Sequence, residues 1–334
     1  LSDRENSMPD LQTTYLGLNL SSPIVVAASS ISSMIDRIQL AERSGAGALV
    51  IRSLFEEQIL VEALHMEEAL APGESFAEAT SFFPSMQHAG AREHLRWIEK
   101  ARAEVRLPLI ASLNAVTPGG WMEYARQLAA AGVDALEINV YSVAADPARA
   151  GSEVEAELYN ILETVKGQVS IPVAVKLSPY YTSVAYVARQ LAQRGAAGLV
   201  LFNRFLQPDI DPRTESLATE MSLSRPEEMR LPLRWVALLH GRIPIELALN
   251  TGVHSGLDVA KALLAGAQVV QVASALLQHG IPYLSTMLRE LEIWMDERGY
   301  QTIGDLRGKL SQAQVDDPLA FERAQYVKLL MAQQ

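Results

Sequence analysis

Charged, amide and hydroxyl side chains close one apolar run after another along this chain. Lys176 ends Ile171-Pro172-Val173-Ala174-Val175, Arg52-Ser53 follow Ala48-Leu49-Val50-Ile51, and Ser112 and Asn114 close Leu109-Ile110-Ala111. Asn139 ends Ala135-Leu136-Glu137-Ile138, Asn203 follows Leu199-Val200-Leu201-Phe202, and Ser142 stands just beyond Asn139. Ala28-Ser29, Thr251-Gly252 and Ala273-Ser274 end three further runs. An ammonium at the tip of a buried strand costs several kcal/mol unless an anion faces it, so Lys176 implies a negative partner. Asparagine both donates and accepts, and several asparagines together can read the polar edge of a heterocycle. Only Glu137 and Glu246, inside strands, bring acidic competition. The set suits a flat, anionic ligand rich in hydrogen-bonding groups.

These residues converge only if the apolar runs are strands of one sheet. A phrase recurs four times, at Leu40 to Ile51, Leu128 to Ile138, Leu191 to Leu201 and Leu263 to Val272. Each is a helix end, a glycine able to take the left-handed position, and a buried strand. Pro23, Pro108, Pro172 and Pro244 precede the other runs. Strands are thus expected near 24–28, 47–52, 109–114, 135–139, 172–177, 198–203, 245–250 and 268–273, with helices between. Eight apolar strands alternating with helices predict an α/β fold, a (β/α)8 barrel. A doubly wound sheet would want Gly-x-Gly-x-x-Gly after an early strand, where this chain has Ala27-Ala28-Ser29-Ser30. The barrel is expected over residues 15–310, after a flexible leader at 1–14 and before a helical extension at 311–334 carrying Phe321, Tyr326, Leu329 and Leu330. Two long connections, 53–107 with Phe82 to Gly90 and 204–233, are candidate lids or surface decoration.

In a barrel the tips after the seventh and eighth strands are the usual phosphate location, and there Thr251-Gly252-Val253 and Ala273-Ser274 lead into helical sequence. Flavin mononucleotide (FMN) bound by that corner would bring its pyrimidine edge to Lys176, whose charge stabilises the negative charge that grows on reduction. Ser142, across the substrate, could then take a proton, given a neighbouring cation or a water relay. Catalytic roles are thus expected of Ser142 and Lys176. Cofactor contacts are expected from Ala28, Ser29, Arg52, Ser53, Ser112, Asn114, Asn139, Lys176, Asn203, Thr251, Gly252, Ala273 and Ser274.

With 334 residues, 49% of them hydrophobic, the chain can bury a large core. A net charge of −11 opposes binding to nucleic acid or an anionic membrane surface. The absence of cysteine excludes disulfides and iron–sulfur ligands on this chain, and fits the cytoplasm. Any iron–sulfur relay would then sit on a separate electron-transfer subunit. The C-terminal appendage is expected on the barrel wall or against a second subunit, as in a homodimer. The histidines lack metal-ligand spacing; His254, after the phosphate turn, is the one of interest.

Together these residues resemble the dihydroorotate dehydrogenases and their dihydropyrimidine-dehydrogenase-like relatives, from Tyr15 to about Leu310. The resemblance rests on Ser21 to Ser29, Arg52-Ser53, Asn139-Val140-Tyr141-Ser142, Lys176-Leu177-Ser178-Pro179-Tyr180, Asn203, Thr251-Gly252-Val253 and Gly299 to Leu310. It implies an FMN barrel that oxidises a saturated carbon–carbon bond beside a ring carbonyl. Arg52, Asn139 and Asn203 would contact substrate, and Ser142 would hold the base position. The chain departs from the family where Arg52 replaces a lysine, where Val143 and Ala144 follow the base in place of a second asparagine, and near Ser81 to Gly90, where the Asn-x-x-Gly loop is not recognisable. Each lost charge-assisted contact costs roughly 1.5–3 kcal/mol, so the flavin half is better supported than the pyrimidine half. Two other readings stay open: an aldolase-type lyase using Lys176 as a Schiff-base lysine, and a flavin-holding subunit active only within a larger redox assembly.

Overall fold

The computed structural model describes residues 8–55, 91–114, 118–140, 143–205, 207–218, 222–322 and 330–331. Two short strands, β1 (Thr13–Tyr15) and β2 (Leu18–Leu20), form an antiparallel hairpin. The sheet proper comprises β3 (Ile24–Val26), β4 (Ala48–Phe55), β5 (Leu109–Asn114), β6 (Ala135–Asn139), β7 (Val173–Leu177) and β8 (Gly198–Leu201). After a small ribbon of β9 (Asp209–Asp211) and β10 (Ser216–Ala218), β11 (Glu246–Asn250) and β12 (Val269–Val272) complete it. The eight strands close in parallel, in the order β11-β12-β3-β4-β5-β6-β7-β8. This is the expected (β/α)8 barrel. In the four recurring phrases, Gly45, Gly132, Gly195 and Gly266 all take positive φ, so the helix-to-strand joint was written in the glycine.

Inside, Tyr15 and Leu16 of the hairpin share one buried cluster with Val25, Val50, Ile110, Ala135, Ala174, Val200, Ala248 and Val269. The hairpin therefore plugs the N-terminal mouth of the barrel with apolar side chains. Side chains repeat every second residue along a strand. One step above this apolar layer stand Ala27, Arg52, Ser112, Glu137, Lys176, Phe202, Asn250 and Gln271, which begin the polar end.

The ends of the chain are tied to the barrel wall. Asp10 pairs with Thr302 and Leu11 is buried, so the last residues of the expected leader are held in the fold. Gly308 and Leu310 bond the backbone of the Gly256–Ala265 helix, and Arg234 donates to the carbonyls of Phe321 and Glu322. Tyr326 and Leu329, which carry the expected C-terminal helix, lie outside the described residues, as do Phe82 to Gly90. Among the described residues no helix is long and apolar enough to cross a membrane.

Candidate functional site

Ala27, Ala28, Lys176, Asn203, Asn250, Gln271, Ala273 and Ser274 surround a cavity of about 210 Å³ at the C-terminal mouth of the barrel. Its floor is Lys176, whose side chain is 8% exposed. The ammonium donates to Gln271 Oε1 at 3.2 Å and lies 3.5 Å from Glu137 Oε1. Gln271 in turn donates from Nε2 to Glu137 Oε2. The anion expected opposite Lys176 is thus supplied by the protein itself, and Glu137, read in the sequence as acidic competition, is the partner of Lys176. Its carboxylate offsets part of the cost of burying the ammonium, while the upper side of Lys176 still borders the cavity.

Asn139 sits beside Lys176 in the strand register, and its Oδ1 accepts a hydrogen bond of 2.7 Å from Asn203 Nδ2. One amide orients the other, which leaves the Asn139 amide hydrogens and the Asn203 carbonyl oxygen for a ligand. Asn250 spends its Nδ2 on the Phe202 carbonyl, at 2.7 Å, and so braces the β8 tip.

At the opposite end of the cavity, Thr251 and Gly252 both take left-handed backbone, with φ of 84° and 77°. For a β-branched threonine this conformation costs about 1–3 kcal/mol, the kind of strain concentrated at ligand clamps. Gly252 has a second reason to lack a side chain: a Cβ there would stand 2.4 Å from the backbone nitrogen of Met229. Ser274 Oγ accepts the Ser224 amide at 3.0 Å, and Ser224 Oγ lies 3.3 Å from His254 Nε2. The Gly256–Ala265 helix does not offer its first turn to a ligand, because Ser255 and Asp258 cap it. Burial works to raise the Asp258 carboxyl, yet hydrogen bonds from Lys261, His254 and Ser255 outweigh it and hold the group below the usual carboxylate range. The corner that remains for an anion is the Thr251–Val253 turn with Ser274, and Arg204 stands at its edge. Arg204 is already engaged by Glu228, at 2.9 Å, and by Ser222.

Ala28, Lys176, Asn203, Thr251, Gly252, Ala273 and Ser274, all named from the sequence, meet at one cavity. Ser29, Arg52, Ser53, Ser112, Asn114 and Asn139 do not line it. Ser29 caps the short 3-10 turn Ser30–Ser33. A register shift between Ile51 and Leu54 sets Arg52 and Ser53 against Ser112 alone, the geometry of a bulge, which re-aims side chains. Ser53 Oγ and Ser112 Oγ lie 2.8 Å apart, and the charge of Arg52 reaches His94. Ser142 lies outside the described residues.

The sequence reading missed Gln271, Arg204 and Ser224. A lone glutamine in Val269-Val270-Gln271-Val272, two residues after the interior Val269, was a usable signal, and so was the charge immediately after Asn203. Ser224 returns through the long 204–233 connection and carried none.

A family model described as dihydroorotate dehydrogenase matches residues 83–295. The chain is 26% identical to a putative dihydroorotate dehydrogenase A (fumarate) of Aeropyrum pernix, over 92% of this chain and 99% of the relative. It is 25% identical to the catalytic subunit of a dihydroorotate dehydrogenase B (NAD(+)) of Methanothermobacter thermautotrophicus, over 89% and 97%. A chloroplastic dihydropyrimidine dehydrogenase (NADP(+)) of Arabidopsis thaliana is 22% identical over 92% of this chain and 78% of its own length.

Proposed function

The chain belongs to the dihydroorotate dehydrogenase family, and from that premise we propose that it is an FMN-dependent oxidoreductase acting on a CH–CH bond beside a ring carbonyl. Dihydroorotate, oxidised to orotate as in pyrimidine biosynthesis, is the first substrate to test, and a related cyclic amide the second. One observation carries the reading: a buried, fixed ammonium at the β7 tip faces a cavity whose far end is a strained Thr251-Gly252 turn beside Ser274. That turn fits a phosphate because Ser274 beside it accepts the Ser224 amide and so keeps its hydroxyl hydrogen for an anion in the cavity.

Bound there, FMN would supply a hydride acceptor. Thr251, Gly252 and Ser274 would hold its phosphate, and Lys176 would balance negative charge at its pyrimidine edge. Asn139 and Asn203 would orient the substrate's carbonyl and N–H groups through their free amide atoms. Ser142 would receive the substrate proton. A Schiff-base role for Lys176 needs a neutral amine, and Glu137 at 3.5 Å favours the ammonium, which counts against the lyase.

Relatives described as catalytic subunits support a separate electron-transfer subunit for a chain without cysteine. A homodimer in the cytoplasm completes the proposal. Anaerobic titration of the purified, FMN-supplemented protein with dihydroorotate tests it. Bleaching of the bound flavin's visible band supports the dehydrogenase. A bound flavin that stays oxidised moves the search to other cyclic amides, and failure to bind flavin overturns the reading.

A further inference from the structure

Glu137 is 1% exposed and has no role in the reaction proposed above. A buried ion pair is weak evidence for stability, since the cost of desolvating both charges commonly matches their attraction. What sets this one apart is its third member. Lysine only donates and a carboxylate only accepts, so a neutral side chain that bridges them must present an acceptor to one and a donor to the other. Gln271 does so, with Oε1 toward Lys176 and Nε2 toward Glu137. Glu137 and Lys176 stand on neighbouring strands, β6 and β7. Gln271 reaches them from β12, which pairs with β11 and β3 and so stands elsewhere in the ring. The triangle is closed by a contact through the barrel interior.

Beneath it lies Tyr15, buried and with no hydrogen-bond partner for its hydroxyl among the described residues. Burial, then Glu137, then Glu246 push that hydroxyl well above its ordinary range. Tyr15 therefore stays neutral and supplies no competing charge from below. Among the described residues, Arg52 shares the strand layer of Glu137 and Lys176, Tyr15 and Glu246 lie below it, and of these titratable groups only Lys176 lines the cavity.

We infer that Glu137, oriented by Gln271, is a positioning residue that fixes Lys176 as a charged, non-nucleophilic ammonium at the cavity floor. The inference deepens the flavin reading and rests on it only for the purpose the charge serves. The state of the lysine can be measured without any flavin.

The test is reductive methylation of the full-length protein at neutral pH with formaldehyde and cyanoborohydride. Labelling at Lys176 is read by mass spectrometry of its peptide, relative to exposed Lys100 in the same molecule. Only a neutral, accessible amine attacks the aldehyde, so wild-type Lys176, both paired and buried, should label far more slowly than exposed Lys100. Glu137→Gln keeps the shape and removes the charge, and should speed relative labelling at Lys176 at least tenfold, because an unpaired buried lysine sheds its proton. Glu137→Asp should restore slow labelling, which a purely structural role for the side chain would not produce. Should Glu137→Gln fail to fold, Gln271→Met carries the same test, with faster labelling expected. Wild-type labelling equal to that of Lys100, or no acceleration in a folded variant, overturns the inference. Loss of flavin binding in wild type would refute the oxidoreductase reading and leave the labelling result standing.

Discussion

Replacing Lys176 with methionine should destabilise the protein far more than loss of a surface lysine, and a second substitution should reverse most of the damage. Lys176 meets Gln271 at 3.2 Å and Glu137 at 3.5 Å, with side chains 8% and 1% exposed across the ion pair. Glu137, 1% exposed, is then left buried without its cation. Removing one partner of a buried pair costs about 3–5 kcal/mol, chiefly because the other charge is stranded. At about 2 °C per kcal/mol, the low end for large domains, that is a fall in Tm of roughly 6–10 °C. In Lys176→Met/Glu137→Gln no charge is stranded, and the amide introduced in place of the Glu137 carboxylate can still meet Gln271. The double variant should return to within about 1–2 kcal/mol of wild type. Thermal and urea unfolding of the four proteins of the cycle, without added flavin, measures the coupling. A single variant as stable as wild type, or a double variant no more stable than the single, would refute the reasoning.

Gly252→Ala should lower Tm and weaken FMN binding at least tenfold by fluorescence titration. The left-handed φ costs a side chain about 1–2 kcal/mol, and the new Cβ meets the Met229 backbone at 2.4 Å; wild-type FMN affinity would exclude this turn from the phosphate site. His94, held down to about 4 by burial and then by the charge of Arg52, resists protonation in the fold. Stability should therefore be full above about pH 6.5 and fall toward pH 4, by on the order of 3 kcal/mol, and His94→Gln should flatten that slope in unfolding measured across pH. Burial raises the Glu246 carboxyl against the hydrogen bond from Leu16 N–H, so the charged form is disfavoured in the fold. Glu246→Gln should raise Tm at neutral pH, with the gain vanishing below about pH 4, where the unfolded carboxylate is protonated too; a gain that persists at low pH would point to packing instead.

The barrel was legible because each strand announces itself twice, by an apolar run and by the proline or positive-φ glycine before it. Boundaries moved by up to three residues, and at the first strand the shift matters: β3 ends at Val26, which frees Ala27 and Ala28 to border the cavity. The site was legible only as a set of tips. Sequence spacing says which residues end strands, but a bulge changes where they aim, and the one at Arg52-Ser53 sets Ser53 against Ser112. Charge pairing was the least legible feature. Glu137 and Lys176 are 39 positions apart in the chain and Gln271 is 95 beyond Lys176, so nothing local in the sequence marks them as one group. Pairing of β6 with β7 brings Glu137 to Lys176, and closure of the sheet brings Gln271 to both. The barrel must close before Gln271 can bridge the pair, so any variant that loosens the packing of β12 against β3 should disturb the charge at the cavity floor without touching a residue that lines it.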